Sequence, residues 1–322
     1  MSRPGTPQVN RSNASLSNNM ENLNGRVGYL TPEQEARLTE FKATLLAERG
    51  PGGRLYYFPE RHSDHQLLRF LRARKFELQP SKKMWMDCEN WRAENGIDEI
   101  LETFDFPEYL GAMKFYPRYY HKVDKIGRPV YYESLGVLDL AKLMSVTTEE
   151  RMQRNHIHEY ERLVRYRMAA CILKAGRHIE QSLVILDLKG IYLSTFTSVY
   201  HIVKTVSAVA QDYYPEMLGK MFVINAPMLF TGVWSLVKPM LDEATVQKIN
   251  ILGANYQDKL LECIDAANLP ADYGGTCRCA EGCDKSDIGP WNDGSVEGYP
   301  KEEFERQAIK YGGLDLYRHV KK

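Results

Sequence analysis

An α/β fold preceded by a helical module is what this 322-residue sequence predicts. Between residues 31 and 110, apolar residues recur only at helical spacing, behind capping-box signatures. From Lys114 onward, short β-rich apolar runs alternate with helix-period stretches, the texture of a parallel or mixed sheet with crossover helices. No apolar run approaches the ~18 residues needed to span a bilayer, so any membrane role is peripheral.

The elements follow in order. Residues 1–30 are rich in Ser and Asn and poor in large apolar side chains, too little to offset ordering entropy, and are expected as a disordered tail. Thr31, Pro32 and Gln34 form a capping box, and Leu38, Phe41, Leu45 and Leu46 follow at helical spacing. A second box at 63–66 opens a helix running to about Phe76. Pro80 is read as the start of a third helix, with Trp85, Cys88 and Trp91 near one stripe and Gly96 as its stop. Residues 128–133 follow a turn-like 124–127 and read as a strand. Ile157, Tyr160, Val164, Met168 and Cys171 mark a helix over 155–174. Residues 182–188 read as a buried strand, and Val199, Ile202, Val206 and Val209 as the next helix. A strand over 220–227, a helical stretch over 234–241 and a strand over 248–252 complete the pattern. The expected division is a tail to 30, a helical module over 31–110, an α/β domain over 111–294 and a tail over 295–322.

Lys+Arg and Asp+Glu are both 42, so the formal net charge is zero, which argues against a bulk nucleic-acid binder. With no export signal at the start, six cysteines are expected as reduced thiols in a cytoplasmic chain. The sequence lacks G-x-G-x-x-G, G-x-x-x-x-G-K-[ST], G-x-S-x-G and H-E-x-x-H. His156 and His158 lie two apart on a helix and point to different faces, which disfavours a metal pair. Glu133 and Asp187 at strand ends are the one candidate acid/base pair, but no nucleophile has an adjacent base, so no enzyme is expected. Cys277, Cys279 and Cys283 could hold zinc, yet a tetrahedral site needs a fourth ligand. Cys263, Asp284 and Asp287 lack the usual spacing, so a reduced loop flanked by glycines is the preferred reading, with no metal expected.

Residues 228–241 are apolar nearly all round. A surface helix should show a polar face; one without it is buried or faces lipid. Gly232 and Pro239 supply hinges, so two readings stand: a core helix, or a movable apolar lid over a cavity.

A larger pattern gathers these pieces. The run 67–76 is followed by Phe115-Tyr116-Pro117, by Asp124-x-x-Gly127-Arg128-Pro129-Val130 and by Asp187-Leu188-Lys189-Gly190. Then come Tyr213-Tyr214-Pro215-Glu216, Asn225-Ala226-Pro227, Asn268-Leu269-Pro270 and Tyr273-Gly274-Gly275. This ordered set resembles the CRAL-TRIO lipid-binding family, and within it the fungal phosphatidylinositol/phosphatidylcholine transfer proteins, over roughly residues 31–294. The resemblance implies a helical module packed on an α/β domain with a large apolar lipid pocket. It also implies a gate helix at Phe230, Trp234, Leu236, Val237 and Met240. A carrier of this kind is intelligible physically: baring two acyl chains of roughly thirty carbons in water costs on the order of 20 kcal/mol, at ~0.8 kcal/mol per CH₂.

The family's phosphatidylinositol pattern falls on Arg74, Lys75, Glu216, Thr245 and Lys248. By that resemblance Arg74 and Lys75 neutralise the phosphate, Thr245 and Lys248 bond phosphate and inositol hydroxyls, and Glu216 accepts from inositol and balances the lysine. Its phosphatidylcholine pattern falls on Tyr120, Tyr131, Tyr160 and Ser182, the tyrosine faces suiting an ammonium. Val184 stands where that pattern has threonine, which removes a donor. The implied activity is exchange of phospholipids between membranes and presentation of phosphatidylinositol to lipid kinases, in support of Golgi secretion. The implied protein is a monomer, cytoplasmic and peripheral at Golgi membranes, with bound phospholipid and no cofactor. Its partners would be the two phospholipids, the membrane surface and lipid kinases, with no nucleic acid. The alternative is a phosphatidylinositol sensor with a different second ligand, such as a sterol.

Overall fold

The computed structural model describes residues 23–192, 204–228, 230–297 and 299. Helix α1 spans Pro32–Ala47 behind the expected capping box: Gln34 N–H donates to Thr31 Oγ1 at 3.3 Å, and Thr31 N–H to Gln34 Oε1 at 3.0 Å. Helix α2 (Asp64–Ala73) is capped by Ser63 and buries Leu67, Leu68, Phe70 and Leu71. Helix α3 (Leu78–Glu94) begins two residues before Pro80, because a proline in the first turn forfeits no intrahelical bond. Trp85 fills the centre of this module, edge-on to Phe41 and Phe70, and its indole N–H donates to Tyr56 O at 2.6 Å.

Part of the expected tail, residues 23–30, is structured. Residues 23–30 lie against α2: Arg72 donates to Gly25 O at 3.0 Å, and Arg26 reaches the buried Glu180 at 3.4 Å. A carboxylate buried in the next domain thus holds a segment whose own composition predicts none. The rest of the expected tail, 1–22, lies outside the described residues.

After the short helices α4 (Ile100–Thr103) and α5 (Tyr109–Phe115), five strands form one sheet in the order β1-β2-β3-β4-β5. They are Arg118–Val123, Pro129–Ser134, Ser182–Asp187, Leu218–Ile224 and Ile249–Ile251. The hairpin partner β1 is antiparallel to β2; the remaining pairs are parallel. Sequence periodicity missed β1, whose residues do not alternate cleanly because a bulge follows Tyr120.

Helices α6 (Leu140–Val146), α7 (Glu149–Arg162) and α8 (Met168–Ala175) connect β2 to β3, with a π turn over Leu163–Arg167 joining the last two. Helix α9, seen at 204–213, leads into β4, and the first part of that expected helix lies outside the described residues. Between β4 and β5 come α10 (Phe230–Val237), a 3₁₀ turn (Lys238–Met240) and α11 (Glu243–Gln247). Helix α12 (Gln257–Cys263) and the single turn α13 (Cys283–Ser286) follow. The chain past Gly294, expected as tail, still packs at Val296 and Tyr299, whose hydroxyl donates to Tyr166 O at 2.6 Å.

The two faces of the sheet differ. On one, Val130, Tyr132, Leu183, Ile185, Phe222 and Ile224 are fully buried beneath α12 and the following turn. On the other, Tyr131, Val184, Leu186, Met221 and Ile249 are only half-buried, while Tyr120 and Val223 are buried.

Candidate functional site

Register defines the half-buried face. Tyr120, Tyr131, Val184, Met221 and Ile249 stand side by side across all five strands. The next rank on that face runs through Glu133, Leu186, Val223 and Ile251. A sheet face turned to water alternates to polar residues; the middle of this one stays apolar without being sealed. Tyr120 and Tyr131 meet with ring centroids 4.9 Å apart, and Arg167 lies 4.3 Å over the Tyr120 ring. Tyr160 comes from α7, joins the same apolar cluster and stacks on Tyr214 at 4.7 Å. Burial pushes all three phenols well above their usual range, so they remain neutral. Ser182 is buried at the start of β3, two residues from Val184 and so on its face.

The five residues proposed for the inositol phosphate divide into groups. Glu216 and Lys248 meet directly, Nζ to Oε2 at 3.2 Å. Thr245 lies in the turn of α11 just before Lys248, but its hydroxyl donates to Asp242 Oδ2 at 2.6 Å and its N–H to Asp242 Oδ1 at 2.8 Å. It therefore serves its own helix cap. Arg74 and Lys75 end α2; the Arg74 guanidinium donates to Ala73 O at 3.1 Å and Lys75 is exposed. Neither has a hydrogen bond or ion pair to the other three among the described residues. Lys75, Phe76 and Glu216 all take left-handed backbone, with φ of 53°, 60° and 62°. Such strain costs on the order of 1–3 kcal/mol per residue and clusters at functional sites.

Helix α10 is neither a core helix nor a free one. Val233 is buried and Phe230 packs toward Leu188 and Val223, while Leu236 is 61% exposed and Met228, just before the helix, 94% exposed. Trp234, Val237 and Met240 are half-buried. A residue that periodicity could not single out ties the end of this segment down. Gln211 on α9 donates to Met240 O at 3.1 Å and accepts from Asp242 N–H at 3.3 Å. The same Asp242 caps the helix that carries Thr245 into Lys248, so the apolar segment and the charged pair are mechanically joined.

Glu133 and Asp187 do not form an acid/base pair. Glu133 stands opposite Leu186, one step from Asp187, so the two carboxylates leave the sheet on opposite faces. Glu133 accepts from the Tyr116 hydroxyl, and Asp187 from Asn225 and the Lys189 N–H. A cavity of ≈ 320 Å³ lies at the joint between the helical module and the α/β domain. Arg69, Arg92, Arg165, Asp98 and Glu161 line it, a charged chamber unsuited to acyl chains.

Comparison with known proteins accords with this geometry. The profile described as CRAL/TRIO domain matches residues 114–275, and that described as CRAL/TRIO, N-terminal domain matches 37–87. The chain is 49% identical over 269 residues to the Sec14 cytosolic factor of Schizosaccharomyces pombe, covering 84% of this chain and 91% of the relative. It is 44% identical to the phosphatidylinositol/phosphatidylcholine transfer protein SFH4 of Arabidopsis thaliana, covering 82% of this chain and 43% of that longer protein. The crystal structure of Sfh5 superposes with a TM-score of 0.58 at 19% identity, over 85% of this chain and 93% of that one, a likeness of fold.

Proposed function

The chain belongs to the CRAL/TRIO family, and from that premise we propose that it is a carrier that exchanges phosphatidylinositol and phosphatidylcholine between membranes. It is not an enzyme. The observation that carries this reading is the contrast between the two faces of one sheet: sealed beneath α12, apolar and half-open beneath α10. Acyl chains would lie along the rank from Tyr131 to Ile249, in a pocket that α10 closes. The Glu216–Lys248 pair stands ready to trade partners, the lysine turning to the phosphate and the glutamate to inositol hydroxyls. Arg74 and Lys75 would close on the same group from the helical module. The phosphatidylcholine head would sit against Tyr120, Tyr131 and Tyr160, with Ser182 beside it. An exposed Leu236 suits a helix that enters the bilayer interface when the pocket opens. In this reading the protein is a cytoplasmic monomer, peripheral at Golgi membranes, and presents phosphatidylinositol to lipid kinases.

Mass spectrometry of lipids extracted from the purified protein tests the ligands directly. Lys248→Ala tests the head-group assignment in a vesicle transfer assay. A charge-assisted hydrogen bond is worth about 1.5–3 kcal/mol, so phosphatidylinositol transfer should fall roughly 10- to 150-fold while phosphatidylcholine transfer is largely spared. Unchanged inositol-lipid transfer refutes the assignment. Val184 favours one second reading, a sensor whose other ligand is a sterol. Tight binding of phosphatidylinositol with negligible transfer, and a sterol among the extracted lipids, would select it.

A further inference from the structure

We propose that His121, Cys277, Cys279 and Cys283 form a tetrahedral zinc site that clamps the segment after the sheet onto strand β1. The ring nitrogen and the three sulfurs lie within 4.8 Å of one another. Around zinc, with Zn–S near 2.3 Å and Zn–N near 2.0–2.1 Å, the donors of a Cys₃His set stand about 3.5–3.8 Å apart. Small inward shifts of four side chains suffice to reach that figure. Three thiolates and one imidazole select zinc over magnesium or calcium, which demand oxygen ligands.

The imidazole is already aimed. The Ser286 hydroxyl donates to Cys283 O at 3.0 Å, so at 2.9 Å it accepts from His121 Nδ1–H. That fixes the tautomer and leaves the Nε2 lone pair directed at Cys277 Sγ, 3.4 Å away. An imidazole whose other nitrogen is held by a hydrogen bond is the usual outer arrangement of a metal-ligating histidine. The backbone is shaped to match. The β1 bulge lies between Tyr120 and Val123, with Lys122 at φ 52°, and so surrounds His121. Gly282, at φ 99°, a backbone conformation that favours glycine, turns the chain between Cys279 and Cys283. The fourth ligand escaped the sequence because it is 156 positions from Cys277. Of the fourth ligands weighed there, Cys263 accepts from Lys220 and Asp287 pairs with Arg167.

Binding is coordination without redox change. Zn²⁺ displaces three thiol protons to solvent, the imidazole stays neutral, and the filled site carries a single negative charge.

The full chain, purified under reducing conditions with zinc and dialysed, should retain about one zinc per chain by inductively coupled plasma mass spectrometry. Cobalt substituted for it should give visible thiolate-to-metal absorption of a tetrahedral centre. Cys279→Ser should abolish stoichiometric retention. Ser286→Ala, which touches no ligand sulfur, should lower zinc affinity about 10- to 100-fold in competition with a chromophoric chelator, with the circular dichroism unchanged. Substoichiometric zinc with no cobalt–thiolate band overturns the proposal. So does equal zinc retention by Cys279→Ser and the parent, or a thiol titration of the parent, isolated without reductant and denatured with chelator, that falls two short of its six cysteines and so reveals a disulfide.

Discussion

Substitution of Glu161 by Gln tests how the helical module is fastened to the α/β domain. Glu161 lies on α7 with only 3% of its surface exposed. Its oxygens accept from Arg92 at 2.8 and 3.1 Å, from Arg165 at 2.8 and 3.0 Å, and from the Tyr214 hydroxyl at 2.7 Å. Burial alone would raise its pKa; Arg92, and then Arg165 and Tyr214, outweigh that and hold it down to about 2. Glutamine keeps the shape but loses the charge and turns one acceptor into a donor facing a guanidinium. The buried Arg165 loses its carboxylate partner and Arg92 keeps only Asp98, a change that costs about 3–5 kcal/mol. For a domain of 150–250 residues each kcal/mol moves Tm by about 2–4 °C, so the melting point should fall roughly 6–20 °C. Urea melts followed by circular dichroism measure the loss. Asp87→Asn is the control, breaking the exposed Lys83–Asp87 pair, which should cost at most ~0.5 kcal/mol. If Glu161→Gln costs no more than that control, the buried network does not hold the two parts together.

Three further outcomes are expected. Val184→Thr should raise the share of phosphatidylcholine in the extracted lipid, because it restores a hydroxyl donor; an unchanged lipid profile would place the choline phosphate elsewhere. Leu236→Glu should leave the unfolding free energy within about 0.5 kcal/mol of the parent, since the site is exposed, yet lower vesicle-to-vesicle transfer several-fold; undiminished transfer would mean that α10 never meets the bilayer. Burial, aided by Arg61 and Arg92 for His62 and by Arg118 for His156, lowers both histidines to about 3. The unfolded chain takes up their protons below about pH 6.5 while the fold refuses them until about 3, so stability should drop by about 1–3 kcal/mol between pH 7 and 5.5; a flat urea midpoint over that range would refute it.

Local chemistry made most elements legible. The Thr31 box, the period of α7 and α8 and the apolar run of β3 each announce themselves within a few residues. Strand β1 did not, because its bulge breaks alternation and its face is decided by partners far along the chain. The charged pair Glu216–Lys248 was legible only through resemblance, since nothing in either neighbourhood says that a left-handed turn and a helix end converge. Gln211 and His121 were invisible for the same reason: each acts on residues 29 to 156 positions away, and neither lies in a run with a period. Thr245, matched to a head group by resemblance, has its hydroxyl on the Asp242 cap in this structure.

The bulge in β1 has one more consequence. Tyr120 and His121 are consecutive, yet one stands on the half-open apolar face and the other meets the Cys277 sulfur, so a single peptide bond is common property of two otherwise separate compartments. Any shift of the His121 ring toward Cys277 therefore acts through the peptide that also carries the Tyr120 ring.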